Sequence, residues 1–113
     1  DARARVVAER AQADLSVTIS MAHLARAGGA SVRTVERLFV LETGMTFGRW
    51  LQHAKALHAL ERLAAGESVT AAGLAVGYDS TSAFIAMFKR VLGTTPGHYF
   101  RQGPGARSRH RAE

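Results

Sequence analysis

Apolar positions recur along most of this chain at intervals of three and four residues, the spacing of helices that bury one face. Over residues 1–13, Val6, Val7 and Ala11 keep this period among Ala, Arg and Glu, which predicts a first helix ending near Asp14. Ser20 is placed to cap a short helix with Met21, Leu24 and Ala25 on one face, and Gly28-Gly29 stops it. Ser31 is placed to cap the next helix, where Val35, Leu38 and Phe39 turn inward and Arg33, Thr34, Glu36 and Arg37 are left largely outward. Two short helices joined by a glycine turn make a helix-turn-helix pattern, a weak signal alone because any small helical protein contains such pairs.

After Gly44, Thr46 can cap a long helix in which Phe47, Trp50, Leu51, Ala54, Leu57 and Leu60 hold the period to about Ala65, before Gly66. At about 19 residues it is ~28 Å long, a suitable spacer between two units. Ser68 then caps a short helix with Val69, Ala72 and Leu74 to Val76, which stops at Gly77. Asp79 or Ser80 caps the following one, with Phe84, Met87, Phe88, Val91 and Leu92 on its apolar face. A last turn begins at Thr95-Pro96 and includes Tyr99 and Phe100. The expected architecture is all-α, with about seven helices forming two helix-turn-helix subdomains joined by a long linker helix.

An internal repeat strengthens this picture. Sliding the chain by 49 residues lays SVRTVERLFVLETGMTFGRWL (31–51) over STSAFIAMFKRVLGTTPGHYF (80–100). Ser31 meets Ser80, Phe39 meets Phe88, Gly44 meets Gly93, Thr46 meets Thr95 and Trp50 meets Tyr99. These are caps, turn glycines and core positions, the parts needed to build one supersecondary unit twice. The outward residues do not match: Arg33, Thr34, Glu36 and Arg37 fall on Ser82, Ala83, Ile85 and Ala86. The preceding turn is ambiguous, since either Gly28 or Gly29 could answer Gly77.

Composition narrows the function classes. The 113 residues are 47% hydrophobic, with no apolar run near the ~18 residues of a membrane span. There is no cysteine for a disulfide or a thiolate site, and nothing resembles a signal peptide, so a soluble cytoplasmic chain is expected. The net charge of +6 favours polyanionic partners, but Arg101, Arg107, Arg109 and Arg111 against Glu113 alone leave only +3 for residues 1–100. Charge alone therefore does not establish nucleic-acid binding. The histidines His23, His53, His58, His98 and His110 lack metal-ligand spacing, and no nucleophile and base can be paired, so no metal, cofactor or enzymatic activity is expected.

The string RTVERLFVLETGMTFGRWL (33–51) and the close GYDSTSAFIAMFKRVLGTTPGHYF (77–100) resemble the DNA-binding domain of the AraC/XylS family of bacterial transcription regulators, over about residues 15–100. The resemblance implies a sequence-specific transcription regulator that places two recognition helices in successive major grooves of double-stranded DNA. It divides residues 1–103 into a first unit at about 15–45, a linker helix at about 46–65 and a second unit at about 68–100. Residues 104–113 are expected to form a disordered basic tail. The start at Asp1 suggests that an N-terminal sensor domain lies outside this chain, and the family pattern adds RNA polymerase or such an effector-binding domain as partners. Two departures from the family, Gly73 where Ala is common and Ala86 where Arg is frequent, suggest a weaker helix and a weaker reader in the second unit.

The residue chemistry supplies candidates. Arg33 and Arg37 can grip guanine, Glu36 can accept from cytosine and Thr34 can offer a hydroxyl; Thr81, Ser82 and Ile85 are the second unit's base-reading candidates. Arg49, Lys89 and Arg90, with the helix starts at Thr46 and Thr95, suit phosphate. The bland reading of Arg37 is a local pair with Glu36 or Glu42. The competing function is a helical protein-interaction module that has lost sequence-specific DNA reading.

Overall fold

The computed structural model describes residues 1–102; the basic tail expected at 104–113 lies outside them. Seven helices and no strand occur among the described residues: α1 (Ala2–Ala13), α2 (Met21–Ala27), α3 (Val32–Thr43), α4 (Phe47–Ala64), α5 (Val69–Ala75), α6 (Thr81–Leu92) and α7 (Pro96–Gln102). None is long and apolar enough to cross a membrane.

Local chemistry fixes where the helices begin. The side-chain oxygens of Ser20, Ser31, Thr46, Ser68 and Ser80 each accept a backbone N–H from three residues on, satisfying a donor the helix cannot pair internally. Ser80, not Asp79, is therefore the cap of α6. The helix ends resolve the register that the repeat left open. Gly29 and Gly77 both have positive φ, and each follows the same closing pattern. Gly29 N–H donates to Arg26 O and Ala30 N–H to Ala25 O; Gly77 N–H donates to Leu74 O and Tyr78 N–H to Gly73 O. Gly29 is thus the counterpart of Gly77, and the second turn is one residue longer than the first.

The units are built alike. α1 packs on α2 and α3, while α4 packs on α5 and α6, so each helix pair leans on a preceding scaffold helix. The first core joins Val7, Leu24, Val35, Phe39 and Phe47, with Phe39 edge-on to Phe47 and Trp50 at centroid distances of 5.1 and 5.3 Å. The second gathers Ala56, Ala72, Val76, Phe84, Met87 and Phe88. Leu51 packs against both cores. A second bridge comes from the α1–α2 loop, where Leu15 is buried in the second core and the carbonyls of Leu15 and Ser16 lie against Gly77. That loop is itself ordered by Asp14, whose carboxylate accepts the Ser16 N–H at 2.9 Å and is held below its usual pKa by the Ser16 hydroxyl and N–H.

Three sequence expectations need correction. Leu57 and Leu74 keep the helical period but are 53% and 54% exposed, because no element among the described residues covers them. Gly73 is not a defect in α5: a Cβ there would come within 3.0 Å of the Phe84 ring, so its absence is what lets α5 and α6 close over Phe84, which is fully buried. The propensity lost at Gly73 is offset by packing.

Candidate nucleic-acid interface

Val35 and Phe39 anchor α3 by its inner face, and the Ser31 cap receives the Thr34 N–H at 3.1 Å. The opposite face carries Arg33 and Arg37, both exposed and in none of the ion pairs among the described residues. Neither Glu36 nor Glu42 pairs with Arg37. Glu36 is half-buried, and its Oε1 accepts the N–H of Phe47 at 3.3 Å, helping to start α4. Thr34 is also half-buried, its hydroxyl oxygen accepting from Ser31 Oγ at 3.0 Å. The outward face of α3 is therefore more cationic than the expectation of four free polar residues.

In the second unit Phe84, Met87 and Phe88 fix α6, leaving Thr81, Ser82, Lys89 and Arg90 exposed. Ile85 is half-buried against the second core, so only part of it faces outward. The cap hydroxyls of Thr46 and Thr95 are occupied, accepting the N–H of Arg49 and of His98 at 3.2 Å each. Phe39, Phe84 and Phe88 are core residues, and Trp50 and Tyr99 pack against those cores, leaving none of these aromatics as an exposed stacking surface.

The structure adds residues that the candidate set omitted. Val40 and Leu41 are 49% and 73% exposed on α3, at the repeat positions of Lys89 and Arg90. The 49-residue alignment already carried that signal. Gln52 and His53 line a surface hollow together with Arg49 and Arg90, which brings phosphate candidates from α4 and α6 to one place.

A helix-turn-helix domain family matches residues 24–102, most of the chain. A transcriptional regulator from Chromobacterium violaceum with an AraC-type DNA-binding domain superposes with a TM-score of 0.81 at 23% identity, covering 88% of this chain and 90% of that one. The chain belongs to the AraC family of helix-turn-helix domains. The HTH-type transcriptional regulator NimR of Escherichia coli K12 is 48% identical over 69 residues, 61% of this chain and 25% of NimR. The DNA-binding domain of the global transcriptional factor AdpA, solved in complex with a target DNA, has a TM-score of 0.73 at 33% identity and covers 88% of this chain and 89% of that one. This chain spans about a quarter of the length of the curated relatives it matches. Ala86, the AraC-family departure noted above, lies exposed on α6 between Ser82 and Arg90 at helical spacing, leaving the middle of that face small and uncharged.

Proposed function

We propose that this AraC-family domain is the sequence-reading part of a transcription regulator and binds one duplex with α3 and α6 in successive major grooves. The outward face of α3 carries the reading: two guanidiniums four residues apart on a firmly capped helix, with no carboxylate partner among the described residues. Such a face is free to take an anionic or acceptor-rich ligand, and the guanidinium fork matches guanine O6 and N7. The 33% identity to the AdpA domain, which was solved with DNA, supports the same ligand class.

In this reading Arg33 and Arg37 dominate base recognition, Thr34 and the free oxygen of Glu36 add to it, and Thr81, Ser82 and the exposed part of Ile85 read more weakly. Arg49, Lys89, Arg90 and the backbone at Thr46 and Thr95 grip phosphate and set register. The molecule measures 52 × 30 × 20 Å, so its long axis exceeds the ~34 Å turn of B-DNA that two heads on one face must match. The domain works in the cytoplasm of a bacterium, and RNA polymerase and an effector-binding domain are partners of the wider regulator.

Selection of bound sequences from a random duplex library, repeated at several salt concentrations, tests this. A two-part motif is expected. Binding that is salt-sensitive but without any motif would instead favour the protein-interaction module.

A further inference from the structure

The hollow shared by Arg49, Gln52, His53, Arg90 and Val91 is open to solvent and about 170 Å³ in volume. Its make-up is one-sided. Two guanidiniums, an amide and an imidazole line it, and no carboxylate does. Among the described residues neither Arg49 nor Arg90 takes part in an ion pair, and Gln52 and His53 add side-chain donors. The positive field reaches the second turn as well, where the charge of Arg90 partly counters the rise that burial gives the Tyr78 phenol.

The two arginines are held from different cores: Phe47 and Trp50 beside Arg49 pack in the first, and Phe84 and Phe88 fix the helix of Arg90 in the second. Arg49 lies in the first turn of α4, directly after α3, whereas Arg90 ends the outward stripe Ser82, Ala86, Arg90 of α6. The hollow therefore lies on the reading side of the second unit and at the exit of the first reading helix. It also exists once: the repeat equivalents of Arg49 and Arg90 are His98 and Leu41, so the other copy of the scaffold cannot form it.

We propose that this hollow binds a single backbone phosphate of the DNA segment between the two read stretches, held by both guanidiniums with Gln52 and His53 as further donors. Guanidinium forks suit phosphate oxygens, and a phosphate gripped at once from the start of α4, anchored in the first core, and from α6 fixes the phase of one reading helix against the other. The inference rests on the DNA-reading function proposed above and adds a bridging anion site to it.

The test uses the full chain and its selected duplex, with phosphates between the two half-motifs replaced one at a time by neutral methylphosphonate. Wild type should lose affinity about tenfold at one or two adjacent positions, the loss expected for a charge-assisted hydrogen bond. The double variant R49A/R90A should bind more weakly at the outset and be insensitive at those positions. It should keep the same motif and lower the salt slope by about one, the change for a single phosphate. Both side chains are exposed, so an unchanged melting curve is expected to accompany these effects. Identical methylphosphonate profiles for wild type and variant would overturn the bridging site while leaving DNA reading intact. A wild type that selects no motif would overturn both.

Discussion

In the proposed reading, base recognition depends most on Arg37. It sits mid-face on α3, exposed and in no ion pair among the described residues. Replacing it by Ala should cost ~1–3 kcal/mol of binding and relax preference at one base pair, as read by a competition series over all four bases. Uniform weakening across sequences would make Arg37 a phosphate contact. Glu36 carries a structural duty beside any reading role, because its carboxylate receives the first N–H of α4. Glu36→Ala should therefore lower stability by about 1 kcal/mol in a denaturant titration, and Glu36→Gln by much less, since an amide oxygen can still accept. A Glu36→Ala domain as stable as wild type would show that this bond contributes nothing. The outward direction of Arg33 and Arg37 was legible in the sequence, because the period of Val35, Leu38 and Phe39 fixes it. The inward turn of Glu36 was not, since it depends on where the α3–α4 turn delivers the Phe47 N–H.

Individual helices were the most legible scale. Ser20, Ser31, Thr46 and Ser68 announce helix starts in sequence, and each caps one. Turn register was hidden because the two copies differ by one residue between the glycine and the cap, so a single sliding offset could not align Gly29 with Gly77. Exposure of Leu57 and Leu74 was hidden for a related reason: periodicity identifies a face but not whether a neighbour covers it. Gly73 shows the same limit in reverse. Helix propensity alone predicts that Gly73→Ala stabilises α5 by ~1 kcal/mol, but the new methyl meets the Phe84 ring, and overpacking costs ~1–3 kcal/mol. The net expectation is a loss of about 1 kcal/mol in urea unfolding. A more stable variant would mean that Phe84 gives way freely.

For the whole molecule, the central question is what holds two reading heads at a fixed separation. Its radius of gyration of 16.0 Å exceeds the ~13 Å of a compact 100-residue domain, as expected for two small cores in line. They are joined along α4, through Leu51, and by the clasp of Leu15 against the second core beneath Gly77. The sequence gives no sign of that clasp, because Leu15 lies outside every periodic stretch. Leu15→Ala should cost ~2–3 kcal/mol of stability and reduce the penalty for inserting one base pair between the half-motifs, measured as a ratio of affinities. An unchanged penalty would leave α4 alone as the ruler. The tandem reading of DNA itself is tested most directly by methylation interference and hydroxyl-radical footprinting of the chain on its selected duplex. The account predicts two major-groove segments on one face, about one helical turn (~34 Å) apart. A single segment, lost on Arg37→Ala and untouched by changes at Ser82 or Lys89, would contradict it.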